Sequence, residues 1–157
     1  MPSIDVAAAA HKARHATGGP DPITPADIGA LPATDDRLKD TGWRYISTST
    51  INGWTGTIIA RRVGPVVSIQ INGLTASAAT SRNALQLPEG FSTQPVGAPV
   101  RPVLHRASTP VVFRRCAVDV MQRLVVSDYV TADVLYGEAM WSTTSAWPAT
   151  LPGTPSP

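Results

Sequence analysis

The distribution of aromatic residues divides this chain into two unequal parts. All nine aromatic residues lie from Trp43 onward, and none lies in residues 1–42. A segment without aromatic residues and with few large aliphatic ones cannot bury enough apolar surface to fold by itself. Net charge changes at the same place, from −2 in residues 1–42 (four Lys or Arg against six Asp) to +4 in residues 43–157 (nine Arg against five acids). We therefore predict a partner-ordered segment and linker over residues 1–42 and a folded head domain over residues 43–157.

The second part has the composition and periodicity of an all-β domain. Only 15% of the chain is charged, and its 12 Gly and 15 Pro are typical of short strands joined by frequent turns. From Val67 to Asn72, apolar residues alternate with polar ones, which predicts a half-buried strand. Strands are predicted over residues 43–47, 55–63, 65–72, 84–87, 103–106, 111–119, 121–127 and 133–142. This series of short strands favours a β-sandwich of the jelly-roll type.

The first part contains two predicted helical pieces. The alanine-rich run over residues 6–13 has high helix propensity, and Gly18 and Gly19 must end any helix that it forms. A single helical turn is predicted after Thr24, followed by a connector over residues 29–42 with a coil or helical turn around residues 36–39. The single turn presents a small apolar cluster, formed by Ile23, Ile28 and Leu31. Three copies of this cluster meeting on an axis would form a miniature core, so we predict a homotrimer.

Several motifs resemble those of one family. Residues 11–30 fill nearly every distinctive position of a pattern that recurs in tail-fibre and minor tail proteins of bacteriophages, notably those of actinobacteria. Three shorter patterns follow in the order found in fibre heads: Arg62–Ile69, Leu87–Phe91 and residues 146–153. In the second of these, the proline that usually follows the phenylalanine closely is displaced to Pro95.

The resemblance implies a non-enzymatic virion protein, assembled in the host cytoplasm and acting outside the cell. It implies a trimeric spike held on the particle by its N-terminal segment, with a β-head that binds the host cell surface. The expected receptor is a cell-wall polysaccharide or a teichoic-type polymer. The alternative is an architectural collar, neck or baseplate fibre that contacts other virion proteins, or the fibre of a phage-like contractile injection system.

Two histidines in the N-terminal segment are candidate metal ligands. His11 and His15 are four residues apart, a spacing that places both imidazoles on one face of a helix. In a trimer, six imidazoles could bind a transition metal on the axis. The alternative is that they bind backbone groups or Asp21 of a neighbouring copy and fix the Gly18-Gly19 turn. We expect the second arrangement and no cofactor.

No catalytic residues are predicted. A glycan hydrolase needs two carboxyl groups in one cleft, whereas the five acids of the second part lie mostly at predicted turns or strand ends. The sequence has no nucleophile elbow, phosphate-binding loop or paired-cysteine motif. Cys116, the single cysteine, lies among apolar residues and is predicted to be buried in a strand.

Ligand contacts are predicted from aromatic residues near turns. Trp54 follows the turn dipeptide Asn52-Gly53, and Tyr129 follows Ser127-Asp128, so both could stack on a saccharide from a loop. The other tryptophans are interpreted as core or subunit contacts. Arg114 and Arg115 could meet an anionic polymer, and one of them is expected to pair with a carboxylate across a subunit boundary.

Two classes of partner are not expected. A net charge of +2 is too small to indicate a nucleic-acid partner. No run approaches the roughly 18 apolar residues of a membrane helix, and no basic-then-apolar leader pattern is present. We therefore expect neither membrane insertion nor Sec export.

Overall fold

The computed structural model describes residues 29–31, 34–93, 100–108, 110–131 and 133–157. It divides into two compact units, residues 1–38 and residues 39–157. The boundary was predicted after Gly42 but lies after Leu38. The reason is that the residues between them are hydrogen-bonded to the second unit. Asp40 forms a β-bridge with Val63, and the Thr41 N–H donates to the Arg62 carbonyl at 2.9 Å.

In the first unit, the described residues include one 3-10 turn, Asp36–Leu38. This turn agrees with the helical turn predicted around residues 36–39. The carboxylate of Asp35 accepts hydrogen bonds from the guanidinium and the backbone N–H of Arg37, which lower the pKa of Asp35 to about 2. The helix predicted over residues 6–13 and the turn predicted after Thr24 lie outside the described residues.

The second unit is built from nine short strands. These are β1 (Arg44–Tyr45), β2 (Thr55–Val63), β3 (Val66–Thr75), β4 (Asn83–Gln86), β5 (Val103–Arg106), β6 (Val112–Val118), β7 (Arg123–Val126), β8 (Val134–Ser142) and β9 (Thr154–Pro155). The prediction of a mainly β fold is confirmed. The strand predicted over residues 43–47 is shorter than expected, because a 3-10 turn, Ser47–Ser49, follows Tyr45 closely.

All nine strands belong to one antiparallel sheet, in the order β4-β7-β6-β5-β8-β3-β2-β1-β9. The predicted β-sandwich has two stacked sheets, whereas these strands are connected through a single sheet that curls. The curl is visible in β6, whose first half pairs with β5 and whose second half, from Cys116, pairs with β7. A bridge between Thr50 and Leu85 then brings β4 back to the segment before β2. A curled sheet encloses a core just as two stacked sheets do.

The core fills the inside of this curl. On β3, Val67, Ile69 and Ile71 point inward while Ser68 and Gln70 point outward, as the alternation predicted. Other buried large side chains come from several strands and loops: Ile46, Trp54, Ile58, Leu74, Leu85, Phe91, Leu104, Leu124, Val126, Leu135 and Trp141. Because these side chains fill the inside, the alternate residues of each strand face outward. The candidate binding grooves lie on that outward face.

A buried arginine connects three turns of the unit. Arg62, on β2, is only 4% exposed. Its Nε donates to the Gly64 carbonyl at 2.9 Å, and its Nη1 donates to the Gly90 and Ala146 carbonyls at 2.6 and 2.9 Å. Its Nη2 donates to the Ser145 carbonyl at 2.9 Å. Arg62 therefore joins the β2–β3 turn, the turn at Gly90 and the segment after β8, which are the three head patterns found in the sequence.

Candidate functional site

One open groove crosses the outward face of β3 and β8. It has a volume of about 380 Å³ and is lined by Trp43, by Ser68, Ile69 and Gln70 of β3, and by Glu138, Ala139 and Met140 of β8. We call it the tryptophan groove. Its floor is formed by paired residues of β3 and β8, with Gln70 directly opposite Glu138 and Ser68 opposite Met140.

The polar groups of the tryptophan groove are available to a ligand. Gln70 and Glu138 are exposed, Ser68 is half-buried, and in the described part of the chain none of the three side chains makes a hydrogen bond. Trp43 is half-buried and is held in place by its own carbonyl, which accepts the Ser156 N–H at 2.9 Å. An indole beside an amide, a carboxylate and a hydroxyl is the combination that binds sugars, whose C–H faces stack and whose hydroxyls form hydrogen bonds.

A second, larger groove lies where β6 turns from β5 to β7. It has a volume of about 640 Å³ and is lined by Arg82, Arg101, Pro102, Val103, Phe113, Arg114, Arg115, Cys116, Ala117, Ser127 and Asp128. We call it the arginine groove. Its lining contains four arginines and one aspartate, so positive side chains outnumber negative ones there.

Two of these arginines are fixed by ion pairs within the chain. The Arg114 guanidinium binds both carboxylate oxygens of Asp133, at 2.7 and 2.9 Å, and Arg115 binds both oxygens of Asp128, at 2.5 and 3.1 Å. Each arginine therefore has a carboxylate partner within its own chain, because the strand and loop after β6 fold back towards them. A contact of either arginine across a subunit boundary stays a prediction.

The two carboxylates that bind the groove's arginines both have lowered pKa values. The hydrogen bond from Arg115 holds the pKa of Asp128 below its ordinary value, and the charges of Arg115, Arg114 and Arg82 act in the same direction. For Asp133, which is 0% exposed, burial alone would raise the pKa. Hydrogen bonds from Arg114 and the Val130 N–H outweigh burial, so the pKa of Asp133 also lies below its ordinary value.

Cys116 lies at the bottom of the arginine groove and is buried, as predicted. Burial raises the pKa of its thiol to about 12. A thiol of this kind stays protonated and is a poor nucleophile at neutral pH.

The two aromatic residues predicted to contact a ligand pack against each other instead. Trp54 is 2% exposed, and its Nε1 donates to the Ser81 carbonyl at 2.7 Å. The Tyr129 ring packs edge-on against it, with 4.8 Å between the ring centroids. Both residues lie in loops, but Trp54 has no ring face open to a saccharide, so its position does not support the predicted contact. Tyr129 is half-buried and keeps part of its surface.

The remaining predicted site residues fall mostly outside the described part. Ile23, Ile28, Gly18, Gly19, His11 and His15 lie there, and Leu31, which is described, is exposed. Among the residues that the structure describes, no three His, Cys, Asp or Glu side chains are grouped as metal ligands. In the same residues, no helix is long and apolar enough to span a membrane.

Neither groove brings together a pair of unpaired carboxylates among the described residues. Glu138 is the acid in the lining of the tryptophan groove, and Asp128, in the arginine groove, is bound to Arg115. A hydrolase of the two-carboxylate kind requires one carboxyl group as acid and a second as base or nucleophile. The arrangement in both grooves is suited to binding.

Comparison with known proteins adds no relative to this description. A scan against protein-family models, a search of curated proteins and a search of solved structures each gave no match.

Proposed function

We propose that this protein is a short trimeric tail fibre or spike of a bacteriophage, and that its β-unit binds a saccharide on the host cell surface. The tryptophan groove is the observation that carries the binding part of this proposal, because it combines an indole with hydrogen-bonding groups that have no partner among the described residues. The resemblance of residues 11–30 to tail-fibre proteins supports the virion part. The protein acts by attachment and not by catalysis.

The trimer in this proposal is formed by the N-terminal segment. Residues 1–42 lack aromatic residues and have little apolar material of their own, so three copies are needed to build a core there. Light scattering on the full-length protein at micromolar concentration is expected to give three times the 16.5 kDa chain mass. A monomeric mass would overturn the trimer without touching the groove.

The groove is tested by cell binding. Fluorescently labelled full-length protein is expected to bind intact actinobacterial cells and their purified wall polysaccharide. The variants Gln70→Ala and Glu138→Gln should lower this binding about tenfold or more, since the first removes the side-chain amide and the second replaces the charged carboxylate acceptor by a neutral amide. The matched control is Glu89→Gln, which changes another exposed carboxylate outside this groove and should bind like the unaltered protein.

If neither Gln70→Ala nor Glu138→Gln lowers binding, the assignment of the saccharide site to the tryptophan groove is contradicted. An absence of binding by the unaltered protein to any cell tested would contradict the receptor-binding role itself.

The architectural alternative is favoured by a different observation. Val120 and Met121, in the turn between β6 and β7, are 91% and 62% exposed. Adjacent exposed apolar side chains at a turn are suited to contact with another protein. A reconstruction of the particle that shows this turn inserted into a neighbouring virion protein, together with no cell binding, would support the alternative.

A further inference from the structure

The β-unit has more arginines than its own carboxylates neutralise, and the excess is not spread evenly. In residues 39–157, each of the four aspartates is bound to an arginine: Asp40 to Arg61, Asp119 to Arg123, Asp128 to Arg115 and Asp133 to Arg114. Arg44 and Arg62 donate to backbone carbonyls. Within the described part of the chain, the side chains of Arg82, Arg101 and Arg106 make no hydrogen bond or ion pair.

Two of these three arginines, Arg82 and Arg101, line the arginine groove, and both are exposed. They add their charge beside Arg114 and Arg115, whose guanidiniums are fixed by Asp133 and Asp128. Like charges gathered in one cleft repel one another and raise the local concentration of anions. In the described part of the chain, Asp128 and Asp133 are already bound to Arg115 and Arg114, so an anionic ligand would offset the charge that Arg82 and Arg101 add.

The remainder of the lining restricts the kind of anion. Phe113 and Val103 are 65% and 59% exposed, so one side of the groove offers apolar surface beside the guanidiniums. A guanidinium binds a phosphate group through two parallel hydrogen bonds, and its charge is permanent. A groove of about 640 Å³ has room for more than one small repeat unit. These features fit a polymer in which phosphate groups alternate with short carbon-rich units.

We propose that the arginine groove binds a phosphodiester polymer of polyol or sugar units, with Arg82 and Arg101 contacting its phosphates. This site is separate from the tryptophan groove, so the proposal does not depend on the saccharide site. A wall polymer fits better than a nucleic acid, because nucleic-acid interfaces spread over a broad basic surface. Here the unneutralised charge is concentrated in one groove of a chain with a net charge of +2.

The test is a calorimetric titration of the full-length protein with poly(glycerol phosphate), carried out at low salt and then at a series of higher salt concentrations. The double variant R82Q/R101Q is expected to bind about tenfold or more weakly, and the dependence of log K on log salt should become shallower by about two. The matched control is R37Q/R61Q, which also removes two positive charges, but from arginines at the surface outside the groove. Its affinity should stay close to that of the unaltered protein.

Three outcomes would overturn the proposal. These are no binding of poly(glycerol phosphate) by the unaltered protein, an equal loss of affinity in both double variants, and stronger binding of a single-stranded oligonucleotide of the same charge. Because the four substituted side chains lie at the surface, both double variants should unfold within a few degrees of the unaltered protein, which separates loss of the site from loss of the fold. Saccharide binding through the tryptophan groove should persist in R82Q/R101Q.

Discussion

The guanidinium carbon of Arg62 lies 4.9 Å from the centroid of the Trp147 ring, a cation–π contact inside the β-unit. The same guanidinium donates to carbonyls of Gly64, Gly90, Ser145 and Ala146, which belong to three separate turns. One side chain thus holds together the β2–β3 turn, the turn at Gly90 and the segment after β8. The relative positions of these three segments therefore depend on Arg62.

Replacing Arg62 is expected to destabilise the protein strongly. The variant Arg62→Met keeps much of the side-chain volume but removes every side-chain donor, which leaves the carbonyls of the buried residues Gly64 and Gly90 without this partner. The free energy of unfolding should fall by about 3 kcal/mol or more, measured by urea denaturation of the full-length protein. The matched control is Arg61→Met, because Arg61 is exposed on the opposite face and its pair with Asp40 contributes at most about 1 kcal/mol. Similar losses in both variants would contradict this role.

The strands were largely predictable, but their arrangement was not. The β-rich runs over residues 55–63 and 133–142 coincide closely with β2 and β8, because alternation and turn residues are local signals. Whether strands form two stacked sheets or one curled sheet depends on pairing. The bend of β6 and the bridge between Thr50 and Leu85 have no signal in a single sequence.

The grooves were less predictable than the strands for the same reason. The outward position of Gln70 followed from the alternation in β3, but its neighbour Glu138 is brought there by the pairing of β3 with β8. Trp54 looked exposed because it follows a turn, and both turn residues do have positive φ, 55° for Asn52 and 79° for Gly53. What the sequence could not show is that this turn directs the Trp54 ring into the core.

The buried pair of Asp133 and Arg114 should make the free energy of unfolding depend on pH in the acid range. The folded-state pKa of Asp133 lies below its ordinary value, so ionised Asp133 stabilises the fold above the unfolded-state pKa of about 3.9. This contribution is lost as pH falls through the lower folded-state pKa. The variant Asp133→Asn is expected to lose about 3 kcal/mol at pH 7, with a smaller difference from the unaltered protein near pH 3. Urea denaturation of both proteins at pH 7 and near pH 3 measures the loss in the free energy of unfolding and its dependence on pH.

The neighbouring pair supplies the control for this prediction. Asp128 and Arg115 have the same two-hydrogen-bond geometry, but the side chains are 43% and 83% exposed. Asp128→Asn should therefore change the free energy of unfolding by less than about 1 kcal/mol. If the two aspartate variants were equally destabilised, burial of Asp133 could not be the cause.

Gly90 is expected to tolerate no side chain, because two separate constraints meet there. Its φ is +79°, and a Cβ atom would lie 2.7 Å from Cδ of Pro148 and 3.1 Å from the Ala146 carbonyl oxygen. Gly73 isolates the first constraint, since its φ is +70° and nothing lies within 4 Å of a Cβ there. Gly73→Ala should cost about 1 kcal/mol, the usual penalty for positive φ. Gly90→Ala should cost at least about 2 kcal/mol more, because the clash forces apart the turn and the segment that Arg62 joins. Thermal and urea unfolding of both variants measure the difference, and equal costs would show that Pro148 moves aside freely.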